Sequence, residues 1–71
     1  MEREIINSEM IQSLGYDVEN GILEVEFRKG GAIWQYFEFP EIYWNEFYYA
    51  ESKGRYFLAN IKGRYREARV G

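Results

Sequence analysis

The chain has 71 residues, a length that gives one domain whose core contributes only about 3–5 kcal/mol of stability. It contains no Cys and no His, which excludes disulfides, the usual zinc sites and catalysis by a Cys nucleophile or a His base. Because 46% of the residues are hydrophobic and 20% aromatic, a disordered chain is also excluded. We expect a soluble cytoplasmic protein that relies on dense packing or oligomerisation.

The net charge of -3 is divided unevenly along the chain. Residues 1–52 carry three basic and eleven acidic side chains, a net charge of -8. Residues 53–71 carry six basic side chains and one acidic side chain, a net charge of +5. This asymmetry indicates either an anionic partner or head-to-tail self-association.

Alternating apolar residues in the first half of the chain predict antiparallel strands. Met1 to Glu9 is polar and acidic, and we expect residues 1–8 to form either a weak strand or a flexible arm. Two further runs alternate apolar and polar side chains as half-buried strands do. Their apolar members are Leu14, Tyr16 and Val18 in the first run and Leu23, Val25 and Phe27 in the second.

The Asn20-Gly21 pair between these runs predicts a two-residue hairpin turn, because both positions of that turn need positive φ. The turn places all six apolar side chains on one face. The opposite face, which carries Gly15 and Glu26, is expected to be wetter. The predicted cross-strand pairs are Val18 with Leu23, Tyr16 with Val25, and Leu14 with Phe27.

A second turn at Lys29-Gly30-Gly31 leads into a third strand over residues 32–38. A two-residue loop at Lys29-Gly30 or at Gly30-Gly31 gives the same parity. In both cases Trp34 and Tyr36 join the apolar face, whereas Ile33, Gln35 and Phe37 take the other. Three strands with one apolar face need a cover.

Two helices are expected to provide this cover. Pro40 suits the first turn of a helix in which Tyr43, Phe47 and Ala50 recur at helical spacing. Residues 43–49 are aromatic nearly all round, which indicates a second buried face and hence a homo-oligomer.

The second helix is predicted from Lys53 to Lys62, with Ser52 as its cap and Gly63 at its end. Phe57 and Ile61 lie four residues apart in it, with Leu58 beside them. Residues 64–71 form either a basic tail or a last short strand. The predicted fold class is α+β: a three- or four-stranded antiparallel meander covered by two helices, in a single domain over residues 1–71.

One internal repeat lies in the basic segment: Lys53-Gly54-Arg55-Tyr56 recurs nine positions later as Lys62-Gly63-Arg64-Tyr65. On one continuous helix the two copies would lie on opposite faces, with their ends about 13 Å apart. The copies would then hold two separated phosphates or meet across a subunit boundary.

The ordered set of motifs resembles the KTSC domain family over about residues 8–70. The motifs are Leu14-Gly15-Tyr16-Asp17, Leu23-x-Val25-x-Phe27, residues 34–40, residues 52–57 and residues 61–65. In this sequence Trp34-Gln35-Tyr36 stands where the family has Tyr-x-Tyr, and Tyr56-Phe57-Leu58 where it often has Phe-Phe-Asn. The resemblance implies a compact β-meander with helices, and RNA binding has been the common suggestion for the family.

The candidate ligand-binding residues are four cations and three aromatic side chains. The cations suit phosphate, because Arg presents a fork of donors, Lys a point charge, and a helix start free N–H groups that Gly54 leaves open to a ligand. The aromatic rings could stack a base. The alternatives are a solvated basic face and rings that only pack the core. The residues are Lys53, Arg55, Lys62, Arg64, Trp34, Tyr36 and Tyr65.

These residues favour a non-enzymatic binding module for a phosphate-bearing ligand, a nucleotide or nucleotide-like signal, with sequestration in a phage-type setting as one role. RNA is the second hypothesis, because the chain is acidic overall, with a pI of about 4.9, and should repel a long polyanion. A protein-interaction or oligomerisation module is the third. We expect no cofactor, no metal and no membrane association.

Carboxylates offer the only route to catalysis. Glu24 and Glu26 share the outer face of one strand with Glu38 nearby, and such groups can act as acid and base or hold a divalent ion. Alternating Glu on a strand is more typical of a face in contact with water, and we expect that here.

Overall fold

A computed structural model describes all 71 residues as a five-stranded antiparallel sheet with two α-helices. The strands follow one another across the sheet in chain order, and both helices lie between the last two strands in the sequence. The elements are β1 (Glu4–Ile5), β2 (Ile11–Asp17), β3 (Ile22–Phe27), β4 (Ile33–Tyr36), α1 (Glu41–Tyr48), α2 (Lys53–Asn60) and β5 (Glu67–Arg69). The α+β class is confirmed. The sheet has more strands than the predicted three or four, because the acidic N-terminus pairs with β2 and the basic tail pairs with β4.

The hairpin between β2 and β3 has a longer turn than the sequence predicts. Asp17 lies opposite Ile22, so four residues connect the strands and the predicted register is wrong by two positions. The Asp17 carboxylate causes the difference, since it accepts hydrogen bonds from the backbone N–H groups of Glu19 and Asn20. Val18 consequently lies in the turn, where it is 58% exposed, and not in the core.

The predicted face survives this shift, because a slip of two residues preserves side-chain parity. Tyr16 lies opposite Leu23, and Leu14 lies opposite Val25. Phe27 pairs with Ile11 across a bulge. All these side chains are buried or half-buried on the helix side of the sheet.

The register between β3 and β4 is that of a loop centred on Lys29-Gly30. Trp34 lies opposite Val25 and Tyr36 lies opposite Leu23, which confirms the predicted face of both rings.

Ten buried side chains form the core between the sheet and the helices. Phe47 of α1 and Phe57 of α2 enter it from the helices, as predicted, together with Ile61. The ridge predicted for α1 is wrong at Tyr43, which is 43% exposed, because Trp44 packs inward instead. Leu58 is likewise exposed. The full set is Ile6, Ile11, Leu14, Leu23, Val25, Tyr36, Phe39, Phe47, Phe57 and Ile61.

The capping of α2 is as predicted, whereas its C-terminal end is not. The Ser52 hydroxyl accepts a hydrogen bond from the Arg55 N–H at 3.3 Å. The helix ends at Asn60, two residues before the predicted Lys62, and Gly63 adopts a φ of 75° in the turn that follows. The second copy of the repeat therefore lies in this turn, and the two copies do not share one continuous helix. Neither helix is long and apolar enough to cross a membrane.

The outer face of the sheet is closed by the N-terminal segment. Glu24 is only 5% exposed, so the expectation of a wet face is wrong at this position. The Arg3 guanidinium pairs with Glu24, and the Gln35 amide donates to the same carboxylate at 2.7 Å. Gly15 permits the approach, because a Cβ there would collide with the Glu2 carbonyl oxygen.

Candidate functional site

A groove with an aromatic floor lies between the helix side of the sheet and α2. Its volume is about 580 Å³, and we call it the aromatic groove. Tyr36 and Phe57 form the buried floor with their rings edge to face at 5.7 Å, and Phe27 meets Phe57 in the same geometry at 5.2 Å. The lining residues are Glu9, Met10, Phe27, Lys29, Trp34, Tyr36, Phe57, Leu58, Lys62 and Glu67.

Two lysines and two glutamates line this groove around the rings. Lys29 comes from the turn before β4 and Lys62 from the turn after α2. Neither lysine has a carboxylate oxygen within 4.0 Å, so both ammonium groups are free of ion pairs. Burial, and then the charge of Glu67, raises the pKa of Tyr36, which therefore stays a neutral phenol at physiological pH.

A second cavity, of about 230 Å³, contains two other predicted residues, Arg64 and Tyr65. We call it the tyrosine cavity, because Tyr43 and Tyr56 also line it. It lies on a different side of α2 from the aromatic groove. The remaining lining residues are Phe39, Glu46, Asn60 and Ile61.

Lys53 and Arg55 lie at the start of α2, away from both cavities. The Lys53 ammonium donates to the Ala50 carbonyl at 2.9 Å, and the Arg55 N–H is already bonded to the Ser52 hydroxyl. Together with Gly54, Lys53 and Arg55 line a third cavity, of about 380 Å³, and a Cβ on Gly54 would make only ordinary contact with the Met10 side chain, at 3.5 Å from its Cβ. The expectation that Gly54 leaves this helix start open to a ligand stays a prediction.

No more than three of the seven predicted residues share one cavity: Trp34, Tyr36 and Lys62. Successive residues of a helix are 100° apart, so Phe57 faces the groove while Tyr56 faces the tyrosine cavity. A single hollow shared by all seven residues does not form.

A family model and a solved structure both match this chain to one family. The family model of the KTSC domain matches residues 7–65. The chain belongs to the KTSC family. The crystal structure of the KTSC domain protein YPO2434 from Yersinia pestis superposes with a TM-score of 0.94 at 40% identity, covering 99% of this chain and 97% of that one.

Two sequence relatives of this KTSC domain carry no named activity. An uncharacterised protein of Stutzerimonas stutzeri (strain A1501) is 42% identical over 57 residues, which are 80% of this chain and 79% of the relative. A protein of Tsukamurella paurometabola is 36% identical over 61 residues, covering 86% of this chain and 90% of the relative.

Sequence reasoning missed several residues of the aromatic groove, Lys29 and Met10 among them. Lys29 had a usable signal, because it follows Phe27 by two positions at the end of a strand whose apolar face was known. Met10 had no such signal, since it belongs to the segment between β1 and β2, which shows no apolar periodicity.

The carboxylates of the outer face form a closed network. Glu24 is bonded to Arg3 and Gln35, and Glu26 accepts from the Ser13 hydroxyl at 2.8 Å. No group of three or more acidic side chains is positioned to hold a metal ion. This arrangement stabilises the fold of this KTSC domain, because each carboxylate is held by a donor of the sheet or the N-terminal segment.

Proposed function

We propose that this KTSC domain is a non-enzymatic binding module for a planar ligand that carries phosphate, with a nucleotide as the preferred class. The observation that carries the proposal is the presence of Trp34 and two unpaired lysines, Lys29 and Lys62, in one groove. A module of this kind acts by holding its ligand, that is, by sequestration.

The groove suits a base in size and in lining. Its volume of about 580 Å³ lies within the range of roughly 300–1,000 Å³ typical of small-molecule sites. Stacking on an aromatic side chain contributes about 1–3 kcal/mol per base. Trp34 is half-buried and keeps ring surface available, while Tyr36 and Phe57 hold the floor rigid through their edge-to-face contact.

The two lysines suit a phosphate group. Neither ammonium has to leave a carboxylate partner when an anion binds, so the electrostatic gain is not offset by a broken ion pair. The Tyr36 hydroxyl makes no hydrogen bond within the chain and, as a neutral phenol, can donate to the ligand. Glu9 and Glu67 also line the groove and favour a compact ligand over a long polyanion.

Calorimetric titration with AMP tests this proposal, with adenosine and ribose 5-phosphate as separate arms. We expect AMP to bind more tightly than either fragment, since only AMP uses both the rings and the lysines. Lys29→Gln and Lys62→Gln should each weaken AMP binding about 5-fold, the equivalent of roughly 1 kcal/mol.

Arg66→Gln is the matched control, because Arg66 is an exposed cation that lies over the Phe37 ring and lines neither cavity. AMP affinity should be unchanged in this variant. Absence of AMP binding, or an equal loss in Arg66→Gln, would reject the nucleotide proposal.

RNA is a second candidate, favoured by the distribution of the free cations. Arg55, Lys62 and Arg64 have no carboxylate within 4.0 Å and follow one another along α2 and the turn after it. Binding of single-stranded RNA should then weaken with salt, with a slope of about -0.7 per neutralised phosphate. Arg55→Gln should reduce that slope while leaving AMP binding intact. An unchanged salt slope in Arg55→Gln, or a flat RNA titration at low salt, would reject this candidate.

A further inference from the structure

The tyrosine cavity has a rigid apolar floor and polar walls. Phe39 and Ile61 are buried beneath it, at 1% and 0% exposure. The Tyr65 ring packs on Phe39 at 4.8 Å, and the Tyr56 ring stacks on buried Phe47 at 5.3 Å. The phenol groups are therefore held in place before any ligand arrives.

Two phenols of this cavity, Tyr56 and Tyr65, are neutral donors at physiological pH. Tyr56 donates to an oxygen of Glu46 at 2.8 Å, and burial together with this bond raises the pKa of Tyr56 to about 12. Burial and the neighbouring Tyr43 raise the pKa of Tyr65. The hydroxyls of Tyr43 and Tyr65 have no partner within the chain, so both can bond to a ligand.

Two opposite charges line this cavity without forming an ion pair. Glu46 and Arg64 both line it, yet no nitrogen of Arg64 lies within 4.0 Å of a Glu46 oxygen. One Glu46 oxygen holds Tyr56 and the other is free, while the Arg64 guanidinium makes no hydrogen bond within the chain.

We propose that the tyrosine cavity binds a small zwitterion of the α-amino acid class. The ammonium group of the ligand lies at Glu46, and its carboxylate is held by Arg64 with the free hydroxyl of Tyr65. Each charge of the ligand then pairs with a protein side chain of the opposite charge.

The balance of charge and the size both favour a zwitterion. A simple anion would meet the Glu46 carboxylate, and a simple cation would meet the Arg64 guanidinium. A volume of about 230 Å³ holds a ligand of a few heavy atoms but is below the range usual for nucleotide-sized molecules. The site is separate from the aromatic groove, because Tyr56 and Asn60 line one and Phe57 and Leu58 line the other.

Titration with L-alanine, followed by amide chemical shifts in NMR, tests the proposal; acetate and methylammonium are the single-charge arms. We expect saturable alanine binding with a dissociation constant of about 1 mM, given the small number of heavy atoms. Glu46→Gln and Arg64→Gln should each weaken alanine binding at least about 5-fold. Tyr65→Phe, which retains the ring against Phe39, should weaken it too. Arg66→Gln and Glu19→Gln are the controls and should leave it unchanged.

Thermal unfolding of each variant shows whether a loss of binding reflects a loss of the fold. A folded Glu46→Gln protein that still binds alanine fully would overturn the proposal. Acetate binding as tight as alanine, lost in Arg64→Gln alone, would replace the zwitterion site by an oxyanion site. Absence of saturation by alanine would overturn it outright. None of these results bears on AMP binding, which uses the other cavity.

Discussion

Arg3→Ala tests the ion pair that closes the outer face of the sheet. The Arg3 side chain donates to the Ser13 hydroxyl at 2.9 Å and pairs with Glu24, while Glu26 lies 4.0 Å from it. The Glu24 side chain is only 7% exposed. Removal of the guanidinium leaves this carboxylate buried with the Gln35 amide as its one remaining donor.

The magnitude follows from the burial of the pair. Breaking a buried ion pair by removal of one partner costs about 3–5 kcal/mol. Arg3 is 24% exposed and water can enter in its place, so we expect about 2–4 kcal/mol. A domain of this length has a total stability of about 4–10 kcal/mol, and the melting temperature should fall by about 10–25 °C.

Thermal and urea unfolding monitored by circular dichroism measure the loss. In a Glu24→Gln background the neutral amide needs no counter-charge, so Arg3→Ala should then cost only about 1 kcal/mol. Arg66→Ala is the control for an exposed ion pair, because Arg66 and Glu38 lie 4.0 Å apart and are 73% and 87% exposed. A loss below about 0.5 kcal/mol for Arg3→Ala, or equal losses for the two arginines, would refute the buried network.

Three further predictions concern the turn, the phenols and the helix surface. Gly21→Ala should cost about 1–2 kcal/mol in urea unfolding, because Gly21 has a φ of 64°, whereas Val18→Ala in the same turn should cost little. Folding raises the pKa of Tyr56 to about 12, so deprotonation of Tyr56 favours the unfolded chain. Titration of Tyr56 should therefore add no pH dependence to the free energy of unfolding below pH 10, and that free energy should fall as pH rises from 10 towards 12. Tyr56→Phe should reduce that slope in urea midpoints, and an unchanged slope would contradict it. Ile42 on α1 and Tyr49 at its C-terminal end lie seven positions apart and are 66% and 79% exposed. We therefore expect light scattering to show a homo-oligomer that Tyr49→Ala weakens, and a monomeric parent chain would contradict this.

The parts of the fold that could be predicted depend on local periodicity. The sequence predicts the correct face for Trp34 and Tyr36 because a strand has period two, so every loop of matching parity gives the same face. The Asn20-Gly21 turn was identified while its length was not, because the Asp17 side chain, outside the two turn residues, adds backbone hydrogen bonds.

The parts that could not be predicted depend on contacts between distant residues. Arg3 reaches Glu24 across 21 positions, and no local pattern shows that an N-terminal arginine will cover a glutamate on a strand face. The separation of Lys62 from Arg64 depends on the end of α2 at Asn60, which redirects the chain before the second copy of the repeat. Composition could show the cations and the rings, but not which of them share a cavity.

The most direct test of the central claim uses the two indole N–H signals of the protein in an NMR titration with AMP. Trp34 lines the aromatic groove, while Trp44 is stacked on Tyr16 at 5.3 Å and serves as an internal reference. Ligand in the groove should shift the Trp34 signal saturably and leave the Trp44 signal in place. A Trp34 signal that does not move, or one that moves no more than that of Trp44, would contradict the account.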